Sequence, residues 1–157
     1  MILIGFFVAR RIPVLFQQYK TEGTAAPTFS IPTLADGIFD SRSSNHPLLL
    51  VFWATWCGPC TIELSRLNTL VSKGTVSRER ILAISSFEER SLLEKTMQER
   101  GYVFPIGLDI DGHVAQAFNV QGTPTLVFLS KERKIQRIST GLSPLLEFRI
   151  KKFAEEP

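Results

Sequence analysis

Apolar and polar residues change rhythm several times along the chain, and each change marks an element. LLLVFWA, residues 48–54, is a continuous apolar run between loop signals. That is the pattern of a strand covered on both faces, and it predicts a central parallel strand. After it, Ile62, Leu64, Leu67, Leu70 and Val71 recur at helical spacing up to Lys73-Gly74, a helix stop. RILAISS, residues 80–86, reads as a second buried strand. Ser86 then reads as the cap of a helix with Glu88 and Glu89 in its first turn and Leu92, Leu93 and Met97 on its inner face, ending at Arg100-Gly101.

Val103 to Ile110 is a further extended stretch, and His113 to Phe118 a short helix. TLVFL (125–129) and KIQRIST (134–140) flank a polar SKER turn, giving an antiparallel hairpin. SPLLEFRIKKF, with Ser143 as cap and Pro144 at the first helical position, supplies a last helix. Upstream, FSIPTLADGIF gives two short strands around an Asp36-Gly37 turn. The series predicts an α/β fold, a mixed sheet with helices on both faces.

The N-terminal end breaks this pattern. MILIGFFVA is an apolar run of nine residues followed by Arg10 and Arg11. It falls short of the about 20 residues that cross a bilayer, and its charges follow the run where a signal peptide would carry them first. Two readings stand: the remnant of a membrane anchor, here assigned to residues 1–16, or a short amphipathic segment lying on a membrane or on the domain. The first is favoured, because nothing later in the chain looks built to cover so apolar a stretch. Residues 17–27 gather Gly, Ala, Thr and Pro and read as a linker, leaving 28–157 as the domain.

A chain of 157 residues is long enough for one domain with a substantial core. The apolar share of 44% and charged share of 21% are ordinary for a globular protein, so no disulfide framework is needed for stability. The net charge of +3 is spread among acidic residues and not gathered with aromatics on one element, which argues against a nucleic-acid reader.

The chain's two cysteines, Cys57 and Cys60, stand in WATWCGPCTIEL. A zinc site takes four ligands, and His46 and His113 are placed as solvated loop residues, so no metal is expected. A disulfide between positions three apart closes a tiny loop and stabilises little. A redox couple needs one thiol at a helix N-terminus, where unpaired N–H groups favour the thiolate, and a second within one turn to resolve the mixed disulfide. With Thr55-Trp56 as the turn and Pro59 in the first helical turn, Cys57 falls in the nucleophile's place and Cys60 in the resolving one.

FWATWCGPC resembles the active-site segment of the thioredoxin superfamily. The resemblance continues in Gly122-Thr123-Pro124-Thr125, where those proteins place a cis-proline loop, and covers roughly residues 23 to 155. It is closest to the TlpA, ResA and cytochrome c maturation type, which share a G-x-x-A-P-x-F opening (Gly23 to Phe29) and an inserted segment with Phe104-Pro105, Asp109 and Gly112. The resemblance implies a thioredoxin-like fold with an N-terminal β-hairpin. It also implies a periplasmic, membrane-anchored thiol:disulfide oxidoreductase that uses no cofactor beyond its own Cys57/Cys60 couple. Disulfide-bonded proteins, apocytochromes c among them, would be its substrates and a membrane thiol protein its electron donor.

The same resemblance makes the Thr123 backbone a pairing edge for an extended substrate beside Cys57. It puts Trp56, Gly58 and Pro59 on the docking surface and Trp53 in the core beneath. Thioredoxin proper carries a buried acid in its central strand where this chain has Val51. Glu63, one turn beyond Cys60 and matched by a glutamate in the ResA-like branch, is therefore the expected proton acceptor, although a helix glutamate is ordinarily solvated. Ser65 departs from the proline that many relatives show. Gly58-Pro59 matches thioredoxin's own dipeptide and tilts the chemistry towards reduction.

Two other functions compete. A peroxiredoxin-like peroxidase would need P-x-x-x-T-x-x-C, and Leu50 and Ala54 stand where its proline and threonine belong. A copper-binding or holdase module could use the two thiols as soft ligands, but it would ordinarily add Met or Cys, and Met97 lies far along the chain.

Overall fold

The structure, a computed structural model, describes residues 21–157. The apolar segment 1–16 and the first residues of the predicted linker lie outside the described residues. Five strands form the main sheet in the order β5-β4-β3-β6-β7: β3 (Leu48–Trp53), β4 (Ile81–Ser86), β5 (Ile106–Asp109), β6 (Thr125–Leu129) and β7 (Ile135–Thr140). β3 pairs in parallel with β4 and antiparallel with β6, so it lies at the centre, and all six of its residues are buried. β1 (Ser30–Pro32) and β2 (Ile38–Asp40) make a separate antiparallel pair. Its turn carries Asp36 at φ 59°, a conformation aspartate tolerates.

The strand period sorts the core into two layers. Leu49, Val51 and Trp53 face α1 (Gly58–Ser72), α2 (Arg90–Arg100) and α4 (Leu146–Ala154), packing with Leu64, Leu67, Leu93 and Ile150. Leu48, Leu50 and Phe52 face the other way, towards Ile31 of β1 and Val114 and Phe118 around α3 (His113–Ala117). Because β3, β4 and β5 succeed one another in a single direction across the sheet, right-handed crossovers place α1 and α2 on the same face. This is the thioredoxin-like architecture, with the heavier helical layer on the face that carries the cysteines.

Several local expectations gave way to tertiary contacts. Ile62 is 52% exposed. It stands two positions from both Cys60 and Leu64, about 200° round the helix from each, and Glu63 fills the inward position instead. Ser86 stays in β4 and its hydroxyl donates to Asp109 Oδ2 at 2.7 Å, so α2 starts later, with Glu89 at its cap position and Leu93 and Thr96 buried. Leu92 is exposed and Met97 only lines the core edge. α4 starts at Leu146 and not just after Ser143, whose N–H and hydroxyl are engaged by Glu63 and Arg149. The described end of the linker is also pinned: Gly23 N–H donates to the Ile135 carbonyl and Ile135 N–H to that of Thr24. No helix among the described residues is long and apolar enough to cross a membrane.

The two faces of α1 should respond differently to truncation. Leu67→Ala, at a fully buried position, should lower unfolding stability by about 2–5 kcal/mol. Ile62→Ala should change it by roughly 0.5 kcal/mol or less. Urea unfolding of both variants checks this, and equal losses would contradict the assigned face.

Candidate active site

β3 delivers the chain to the edge of the sheet, and the next residues turn it into α1. Ala54 is buried and its carbonyl accepts from Cys57 N–H at 3.2 Å, closing the turn. Cys57 has extended backbone angles and occupies the cap position of α1, with Pro59 in the first turn, where no N–H is missed. Cys57 and Cys60 are joined as a disulfide with their Cα atoms 5.2 Å apart. Cys60 N–H donates to Cys57 Sγ at 3.2 Å, and the first turn of α1 contains no acidic residue. After reduction, that N–H and the positive end of the helix stabilise a thiolate on Cys57.

The exposure of the cysteines is less than a nucleophile's place suggested: Cys57 retains 4% and Cys60 none. Both belong to the core layer that includes Trp53, whose ring packs edge-on against Tyr102. Around them the surface is open, with Gly58, Pro59 and Trp56 exposed, Trp56 by 80%. The Thr123–Pro124 peptide is cis, and Cys57 Sγ lies 3.6 Å from the Thr123 carbonyl oxygen. The structure thus gathers Trp56, Cys57, Gly58, Pro59, Cys60, Thr123 and Pro124 in one region, at the end of β3 and the start of β6.

Glu63 is 1% exposed and not a solvated helix residue. Its Oε1 accepts from Ser143 N–H at 3.2 Å, and Oε2 lies 3.2 Å from Arg66 Nη1, which also donates to the Ser143 carbonyl. Burial pushes its carboxyl above the ordinary glutamate range, against the opposing pull of the Ser143 N–H and the Arg66 charge. Val51, in β3, lies between Ala83 and Leu126, so that strand position is wholly apolar.

One set of residues was missed by the sequence reading. Glu88, read as a first-turn helix residue, is buried beside the site. Its carboxylate accepts from Thr55 N–H at 3.1 Å, from the Thr55 hydroxyl and from the Ser85 hydroxyl. Arg100 donates to the Thr55 carbonyl at 2.9 Å. Thr55, two residues before Cys57, is therefore held from both sides, and no local spacing in the sequence pointed to it. Asp109, Asp111 and His113 also lie together, but Asp109 is already engaged by the N–H groups of Val114 and Ala115 and by Ser86.

Comparison with known proteins places this geometry. Residues 23–138 match the AhpC/TSA family. The thiol-disulfide oxidoreductase ResA of Geobacillus kaustophilus is 32% identical over 122 residues, covering 76% of this chain and 69% of ResA. Among solved structures, StoA of Bacillus subtilis superposes with a TM-score of 0.71 at 19% identity, covering 83% of this chain and 98% of StoA. The peroxidoxin BcpB of Mycobacterium tuberculosis superposes with a TM-score of 0.70 at 18% identity, covering 85% and 96%. At such identities the two structures establish the fold alone.

The buried carboxyl gives a pH signature. Because Glu63 holds its proton to higher pH in the folded chain than in the unfolded one, the native state binds more protons just above the ordinary glutamate range. Stability then falls as pH rises through that window. Glu63→Gln cannot titrate and keeps an acceptor for Ser143 N–H. Wild type should lose stability relative to this variant as pH is raised from about 4 upward, read from urea midpoints. A difference that is flat or of opposite slope would contradict the assignment.

Proposed function

The chain belongs to the AhpC/TSA family and is a thiol-disulfide oxidoreductase, and from that premise we propose that it reduces disulfides in extracytoplasmic partner proteins, apocytochromes c among them. The observation that carries the proposal is the Cys57–Cys60 disulfide at the start of α1, with the Cys60 N–H directed at Cys57 Sγ. In the reduced chain, the Cys57 thiolate attacks one sulfur of the partner's disulfide, and the partner's other sulfur leaves as a thiolate and takes up a proton. Cys60 then gives its proton to Glu63 and attacks Cys57 Sγ, breaking the mixed disulfide, and the partner's second sulfur leaves as a thiolate that takes up the proton Glu63 received. The partner gains two electrons and two protons, and the chain is left with Cys57 joined to Cys60. A membrane thiol protein restores the dithiol by the reverse exchange.

The raised Glu63 carboxyl supports its role as proton acceptor, since a group that binds protons nearer neutrality accepts one more readily from a thiol. In this reading Trp56, Gly58, Pro59 and the Thr123–Pro124 backbone form the surface against which the partner lies, and residues 1–16 are the remnant of an anchor that holds the domain at the outer face of a membrane. The arrangement needs no cofactor and no metal. The competing peroxidase reading would need proline and threonine where Leu50 and Ala54 stand, and the copper-binding reading a further soft ligand that no third cysteine supplies.

Cys57→Ser should reduce turnover of a disulfide-bonded protein such as insulin to the uncatalysed background, and retention of activity would overturn the mechanism. Cys60→Ala should accumulate mixed disulfides through Cys57. Mass spectrometry of the trapped proteins in the native host should find apocytochromes carrying Cys-x-x-Cys-His; their absence would remove the cytochrome c role while leaving general reduction. Glu63→Gln should slow the exchange and shift the thiol titration seen by thiolate absorbance. Unchanged profiles would leave Glu63 a purely structural residue.

A further inference from the structure

The apolar surface beside Cys57 extends beyond Trp56. Trp56 follows β3, Phe87 follows β4 and Ile110 follows β5, so exposed apolar side chains stand beyond the C-terminal ends of three adjacent parallel strands. The ladder between β4 and β5 ends with Ser86 paired to Asp109, where Phe87 N–H donates to the Asp109 carbonyl at 3.2 Å, so Phe87 and Ile110 each directly follow the last pair. Glu88 joins the other two loops by accepting from the Thr55 N–H and hydroxyl. Trp56 and Phe87 are thus the immediate neighbours of a bridge between their loops.

Phe87 is costly where it stands. Its φ of 61° lies in the left-handed region, which a bulky side chain rarely adopts and glycine adopts freely. The ring is 76% exposed, so burial does not account for it. It lies over Gly112, where an added Cβ would come within 2.1 Å of the ring, so the glycine leaves it room. Ile110 is 63% exposed. Neither backbone preference nor core packing explains a large apolar side chain at either position.

We propose that Phe87 and Ile110, with Trp56, form an apolar strip that binds the disulfide-bearing partner: an extended polypeptide with a large apolar side chain near the cysteine under attack. The proposal rests on the reading of Cys57 as the nucleophile, because attack there brings the partner chain to the end of β3. From β3 to β5 is two strand spacings, about 10 Å. An extended chain covers that in about three residues. The strip therefore reads a side chain two or three positions from the partner's cysteine.

Two oxidised peptides with one intramolecular disulfide each, identical except for Leu or Ser three positions from the attacked cysteine, test this against the reduced chain, with cystamine as a small disulfide that cannot reach the strip. Wild type should reduce the Leu peptide with a kcat/KM about tenfold above that of the Ser peptide. Phe87→Gly, which suits the backbone angle, should bring the two close to parity with the cystamine rate unchanged. Ile110→Ser provides an independent second variant and should narrow the preference in the same way. Parity in wild type, or a preference that survives both variants, would overturn the strip alone. Variants that slow cystamine equally would also overturn it, since the change would then lie in the redox centre. If wild type reduces neither peptide nor cystamine, the Cys57/Cys60 reading falls and the strip with it.

Discussion

The burial of β3 on both faces is the constraint from which the site follows. A strand of six apolar residues can be covered only at the centre of a sheet between two layers, and that is where pairing with β4 and β6 puts it. Its C-terminal end then meets solvent in the middle of the sheet edge, with the loops of β4 and β5 on one side and the start of β6 on the other. The chain has to turn back over the sheet, and the turning residue is Cys57, which caps α1. The first N–H groups of any helix lack partners within it, so the fold supplies the thiol's stabilising environment without a dedicated device.

Keeping β3 wholly apolar moves the acidic group elsewhere. Glu63 occupies the layer between α1 and the lead-in to α4, where it meets one backbone N–H and one arginine. A hydrogen bond to a charged group contributes about 1.5–3 kcal/mol, while an unpaired buried carboxylate costs several times that. The two partners offset part of the burial and not all of it, so the carboxyl settles above its ordinary range. The same contact ties the lead-in of α4 to α1, since the Ser143 N–H, which no helix turn would use, is given to Glu63. The cysteine helix and the docking of the C-terminal helix therefore share one carboxylate.

What was legible in the sequence was local. Apolar runs gave β3, β4 and β6, helical spacing gave α1 and the end of α2 at Gly101, and the two-residue gap between Cys57 and Cys60 gave the redox pair. The illegible part was polar and distant. Ser86 and Ser143 have the composition of caps, but Asp109 and Glu63 engage them from other elements, Glu63 from 80 positions away. Glu88 reaches Thr55 across 33 positions. A short polar side chain offers nearly equal bonds to several partners, and only the folded arrangement decides which it makes. Glu63 itself was found through the resemblance, whereas its burial against Ser143 and Arg66 had no counterpart in the helical pattern.

The fold alone does not choose between disulfide reduction and peroxide chemistry, since function resides in the residues placed on it. The choice is made within β3. A peroxidatic P-x-x-x-T-x-x-C segment ending at Cys57 would put proline at position 50. Leu50 is there instead, in register with both Leu82 and Val127 at the middle of the central strand. Proline has no N–H to give to such a ladder and is confined to edges, bulges and strand ends. A chain built for that motif would have to end its strand well before position 50 and approach the cysteine as a loop. Here the strand runs unbroken to Trp53 and turns in the few residues that remain, which leaves Cys57 a position suited to meeting a partner's disulfide across the sheet edge.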